Sequence, residues 1–268
     1  MLSFIHDGNV GDIIASLPSI KCLLDKHGEK QATLYLRTGV FAHYTGNHPL
    51  VNVMLNEDYV QQLIPLLRLQ PYIAHVSTHR GEKIDYNLNV FRHTGFDLAK
   101  GNLALYYTHC FPICPNLWEP WLVVDVPERL NFILINRTER YHNANISYTF
   151  LNQYPTKFIG LESEFRLFRS ENRLANIERI HTPNFLETAR AIAGCKLFIG
   201  NQSSCFQIAE ALKVPRIIEI CPWCPNVMPC GPNGYEAFKQ DVFVKIVEEQ
   251  CGNIRTNFPE RATISSTI

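Results

Sequence analysis

The stretch KLFIGNQSSCFQIAEALKVPRIIEI, residues 196 to 220, holds a strand, a polar turn, a helix and a second strand in succession. KLFIG ends at Gly200, Ser203 and Ser204 follow, CFQIAEAL spaces its apolar residues as a helix does, and RIIEI is again a strand. Ser204 with Gln207 three residues on has the spacing of a capping box, so the helix is predicted to begin there. A strand that returns through a helix to another strand is the unit of a parallel sheet. Upstream, NFILIN (131 to 136), KFIGL (157 to 161) and ERIHT (178 to 182) read as strands, and FLETARAIAG (185 to 194) reads as a helix that Asn184 and Glu187 open and Gly194 stops. The alternation predicts α/β architecture with a doubly wound sheet.

The first half repeats the theme less regularly. FIHDGNVGDIIASLPSIKCLL, residues 4 to 24, gives a strand over Leu2 to Ile5, a turn with Gly8, Asn9 and Gly11, then Asp12 and a helical face of Ile13, Ile14, Leu17, Ile20, Leu23 and Leu24. Pro18 deprives the Ile14 carbonyl of its donor, so the helix either starts close to Pro18 or bends there. ATLYL (32 to 36), YIAHVS (72 to 77) and KIDYNLNV (83 to 90) read as strands, and EDYVQQLIPLLRL (57 to 69) as a helix interrupted by Pro65. The prolines and tryptophans of WEPWLVVDVPERL, residues 118 to 130, mark a junction near Val126 to Arg129. Two Rossmann-like domains are expected, 1 to 127 and 128 to 268, the first trimmed of elements. A ligand would lie between them, outside the carboxyl ends of the strands.

Composition narrows the function. The 268 residues carry 25 basic and 25 acidic side chains, so no global field draws nucleic acid or anionic lipid, and any phosphate binding is local. No run of apolar residues is long enough to span a bilayer and no secretion signal opens the chain, which predicts a soluble cytoplasmic protein. The nine cysteines are scattered through apolar contexts, as reduced thiols are. Cys221 and Cys224 have zinc-ligand spacing, with His109, Cys110 and Cys114 as conceivable partners, but a second CxxC is missing and no metal is expected. The sequons at Asn136, Asn145 and Asn201 carry no weight without a secretion signal.

Several residues suit chemistry on a nucleoside diphosphate. The helix start at Ser203 and Ser204 offers free N–H groups and a positive dipole end to an anion, although taken alone the two serines read first as caps of the helix. Arg137 and Arg140, in NRTERYHN after the strand NFILIN, could clamp a diphosphate; each alone could equally be a surface arginine. Asp12 could serve as a base or simply cap its helix, and catalysis is the stronger reading because the carboxylate stands beside two glycines at the cleft. Glu219 could hold ribose hydroxyls at a strand end, and Asn226, Gly231 and Asn233 lie in a Pro/Gly-rich loop that would border the donor. His6 could assist proton transfer or be structural.

GNVGDIIASLPSIKCLL resembles the amino-terminal motif of family 9 glycosyltransferases, the ADP-heptose:lipopolysaccharide heptosyltransferase group, in which a Gly-Asp pair precedes a Leu-Pro helix. GNQSSCFQIAEALKVPRIIEI resembles that family's donor-site strand-turn-helix, and NRTERYHN the loop after the first strand of its second domain. The resemblance implies a GT-B fold, the acceptor on the first domain and a nucleotide-sugar on the second, without metal. It implies Asp12 as general base and Arg140 on the donor phosphates, together with Gln202, Ser203 and Ser204. Gln202, Ser203, Ser204 and Gln207 stand where the family has Asp, Thr or Ser, Gly and a later His, which leaves the sugar open between heptose and another hexose. The acceptor could be a glycan, a glycolipid or a protein, the glycolipid implying peripheral membrane contact. Two rivals stand beside this reading: a nucleotide-sugar-binding protein without turnover, and a nucleotide-sugar epimerase.

Overall fold

The computed structural model describes residues 1–44, 50, 52–126 and 128–254, so Pro127, at the expected junction, lies outside the described residues. The first lobe is a four-stranded parallel sheet in the order β3-β2-β1-β4, from β1 (Leu2–His6), β2 (Ala32–Leu36), β3 (Ile73–Thr78) and β4 (Tyr86–Asn87). The second is a six-stranded parallel sheet, β10-β9-β8-β5-β6-β7. Its strands are β5 (Ile133–Asn136), β6 (Thr156–Ile159), β7 (Glu178–Ile180), β8 (Leu197–Gly200), β9 (Arg216–Glu219) and β10 (Gly234–Ala237). The chain lays down strands outward from β5 to one side, then returns to lay β8 on the other. That reversal is the topological switch of a doubly wound sheet, and β1 with β4 forms the matching switch of the first lobe.

Pleat alternation divides the second core. Leu134, Phe198 and Ile218 face a cluster shared with the first lobe, while Ile133, Ile135, Ile199 and Ile217 face the far side. There α3 (Glu162–Asn172) and α6 (Gln240–Cys251) supply Phe168, Phe243 and Val247. The shared cluster is continuous across both lobes, because α1 (Val10–His27) packs on α5 (Ser204–Leu212) and α2 (Glu57–Arg68) on α4 (Phe185–Gly194).

Several expectations shift. The α1 helix does not start at Pro18 but runs through it from Val10 to His27, and the Ile14 carbonyl accepts the Trp121 indole N–H at 3.0 Å in place of the missing amide. The α2 helix likewise continues through Pro65. Ser203, not Ser204, caps α5: its Oγ accepts the Phe206 N–H at 3.1 Å. Asn184 caps α4 as expected, accepting from Glu187 N at 3.0 Å. KIDYNLNV keeps only a two-residue strand, because Asn87 Oδ1 accepts the Asn89 N–H at 3.0 Å and turns the chain into a 3₁₀ helix, Leu88–His93.

Candidate functional site

A cleft of about 560 Å³ opens between the lobes. The amino-terminal turns of α1 and α5 meet in it: a Cβ at Gly11 would lie 3.6 Å from the Ser204 Cα. Asn9, Gly11, Asp12, Arg140, Gln202, Ser203, Ser204, Gln207 and Asn226 all line it, so most of the residues singled out from sequence share one wall or another of the same cavity. The ends of β5, β6 and β7 extend it through Asn136, Gly160 and His181.

Asp12 occupies the first turn of α1, its side chain 17% exposed. Arg92 Nη2 grips its Oδ2, and no hydrogen bond occupies Oδ1 among the described residues. Gly8 makes room for this pair: a Cβ there would lie 2.6 Å from Arg92 Nη2, 2.7 Å from Asp12 Oδ2 and 2.7 Å from His6 Cε1. Burial opposes the Arg92 charge, but the Asp12 carboxylate outweighs it and holds the guanidinium above its ordinary range. Asn9, at the N-cap of α1, gives its side chain to Tyr44 instead of the helix, accepting the phenol at 2.6 Å.

Across the cleft, Asn201 is the staple. Fully buried after β8, it accepts from Thr138 N at 3.0 Å and donates to the carbonyls of Thr138 and Arg140 at 3.1 and 2.5 Å. It thereby fixes the 137 to 142 loop against the start of α5. The Arg140 guanidinium lies 5.9 Å from the Tyr44 ring centroid and 5.5 Å from that of Tyr141, and no carboxylate pairs with it among the described residues. A cation, two serines and a helix N-terminus therefore converge opposite the Asp12 carboxylate.

Arg137 and Glu219 are elsewhere. Asn136 faces the cleft, so pleat alternation sends Arg137 to the far face of the sheet, where Glu219 also projects. They bind each other, Nε to Oε2 at 2.7 Å and Nη2 to Oε1 at 3.0 Å, and Glu219 also accepts from Asn143 N at 2.6 Å and Tyr148 Oη at 2.8 Å. With Glu219 1% exposed, neither side chain presents a free edge to phosphate or ribose: the pair is an internal strut. Gln202 also departs from the phosphate role: its amide nitrogen donates to Asn226 Oδ1 and to the Cys224 sulfur at 3.8 Å, and only its oxygen is free, which cannot bind a phosphate oxygen.

His6 is wholly buried, its pKa pushed down to about 3 by burial and then by the Arg92 charge. Its Nδ1 accepts from Gly8 N at 2.9 Å, which leaves Nε2–H to donate to Tyr107 Oη at 3.1 Å. It is structural. Gly231 and Asn233 turn their loop at φ of 75° and 60° and do not line the cleft. Cys221 and Cys224 are buried free thiols, and among the described residues no three His, Cys, Asp or Glu side chains gather as a metal set. Two of the three sequon asparagines, Asn136 and Asn201, are buried. Among the described residues no helix is long and apolar enough to cross a membrane. Sequence reading did not single out Arg92, Asn136, Asn201 as a staple, or Tyr44. The only signal for Asn201 was an amide directly after a strand in a turn.

No family model and no curated protein sequence matches the chain. Its fold does match solved structures. E. coli heptosyltransferase WaaC with ADP-2-deoxy-2-fluoro heptose superposes with a TM-score of 0.60 at 10% identity, covering 92% of this chain and 99% of that one. The family 9 glycosyl transferase from Veillonella parvula DSM 2008 gives 0.58 at 10% identity over 96% and 90% of the two chains. E. coli ADP-heptose lps heptosyltransferase II gives 0.58 at 12% identity over 94% and 98%. Two parallel, doubly wound lobes around a central cleft, arranged as in these enzymes, make the fold of this chain GT-B.

Proposed function

We propose that the protein is a metal-independent glycosyltransferase of the family 9 type, transferring a hexose or heptose from a nucleoside-diphosphate donor to an acceptor hydroxyl with inversion. The observation that carries this reading is the meeting of the α1 and α5 amino-terminal turns in one cleft, an acidic group on one side and anion-binding groups on the other. The first lobe, up to the junction near residue 127, holds the acceptor, and the second holds the donor. Asp12 removes the acceptor proton as the new C–O bond forms at the anomeric carbon. The bond from that carbon to the diphosphate breaks, and the departing charge falls on the α5 N–H groups, the Ser203 and Ser204 hydroxyls and Arg140. These groups meet the leaving charge without a metal ion. Asn226 borders the donor through Gln202. The acceptor is a glycan, glycolipid or protein hydroxyl, and the reaction takes place in the cytoplasm.

Incubating the protein with ADP-, UDP- and GDP-sugars and a panel of glycan and glycolipid acceptors, followed by mass spectrometry, tests the proposal. Glycosylated acceptor is the expected product. Tight binding without transfer would assign a binding protein, and isomerised donor without acceptor would assign an epimerase.

A further inference from the structure

Two buried carboxamide oxygens in the cleft have no hydrogen-bond partner: Oδ1 of Asn136 and Oε1 of Gln202, on residues 2% and 7% exposed. The surroundings fix which way each amide faces. Asn136 Nδ2 donates to the Ile159 carbonyl at 2.7 Å, so a reversed amide would set oxygen against oxygen. Gln202 is oriented by a relay. Asn226 Nδ2 donates to the Leu98 carbonyl at 2.8 Å, which makes Asn226 Oδ1 an acceptor, and Gln202 Nε2 donates to it. The Gln202 oxygen is the end of that relay left over.

Both atoms accept and cannot donate, and a buried acceptor without a partner is a cost that a ligand can relieve. A phosphate oxygen cannot relieve it, being an acceptor itself. Directly beside Gln202, however, the α5 N–H groups and the Ser204 hydroxyl are donors that suit a phosphate. The wall therefore matches a fragment that is an anionic acceptor at one end and an O–H donor at the next, which describes a phosphate ester of a polyol. The relay also accounts for glutamine at this position: a glutamate would face Asn226 Oδ1 with no proton to give.

We propose that Asn136 and Gln202 form a hydroxyl-reading subsite, their carboxamide oxygens accepting hydrogen bonds from the glycosyl group of the donor and selecting a neutral, freely hydroxylated sugar. The proposal rests on the nucleotide-sugar reading of the cleft. An ionised sugar carboxylate brought to these atoms would place oxygen on oxygen.

The test is calorimetric titration of the full chain with UDP, ADP and GDP and with their glucose conjugates. The wild type should bind one conjugate more tightly than its bare diphosphate. Gln202→Met, close in volume but without the oxygen, should erase roughly tenfold of that preference while leaving the diphosphate affinity unchanged. Asn136→Leu should act in the same sense, and thermal melting checks that each variant is folded. An arm that needs no variant titrates the wild type with mono-deoxy analogues of the preferred conjugate, at least one of which should bind about tenfold more weakly. Equal losses for diphosphate and conjugate would move these residues to the nucleotide, and an unchanged preference in both variants and all deoxy analogues would remove the subsite; either overturns the proposal alone. A wild type that binds none of the diphosphates overturns the nucleotide reading and the subsite with it.

Discussion

At the scale of single residues, the site turns on a carboxylate held by an arginine 80 residues away. Asp12 was legible because a Gly-Asp pair opening an apolar helix has a recognisable spacing. Arg92 was not, because only the pairing of β1 with β4 brings it to Gly8, and nothing local in NLNVFRH announces that neighbour. Replacing Asp12 by Asn keeps the volume and removes the proposed base: turnover should fall about 10²- to 10⁴-fold while donor affinity stays within a small factor, as read by single-turnover rates beside equilibrium titration. Loss of donor binding with turnover retained would refute the role. Arg137 and Glu219 teach the opposite lesson. Both sit at strand ends and so suggested the cleft, yet the alternation already written in Ile133 and Ile135 sends them to the far face.

At the scale of elements, strand and helix positions followed closely from periodicity, while helix ends and proline behaviour depended on tertiary partners. The continuity of α1 through Pro18 could not be read locally, since the donor that satisfies Ile14 is the Trp121 indole from the connecting segment. The start of α5 was placed one residue late because Ser203 and Ser204 are chemically equivalent caps until the backbone selects between them. Ser203 caps α5 and also lines the cleft, where we propose that it faces the donor phosphates. Ser203→Ala should lower stability by about 1 kcal/mol in urea unfolding and also weaken nucleoside diphosphate binding. A stability loss with unchanged binding would leave Ser203 as a cap only.

At the scale of the whole molecule, two switch points face each other, and the order of strands alone decides that the cleft lies where it does. The sequence carried this order implicitly, through βα alternation, but not the contact of α1 with α5 that closes the floor. His6, buried at the end of β1 against Gly8 and Tyr107, makes global stability sensitive to acid. Its folded pKa is about 3 against an ordinary 6.5, so the unfolded chain binds a proton that the native state refuses. Its stabilising contribution is whole above pH 6.5 and is lost as the pH falls from there towards 3, at about 1.4 kcal/mol per pH unit. Unfolding free energies from urea titrations at pH 7 and pH 5 should differ by about 2 kcal/mol more in the wild type than in His6→Gln; equal differences would show that another group carries the effect. The continuous apolar cluster through both lobes has a consequence for descent as well as for folding. A gene divided at the linker would encode two fragments, each with an oily seam where the other belongs. Neither half is an exchangeable cassette, so a new ligand preference is reached by altering side chains around the cavity more readily than by trading halves with a relative.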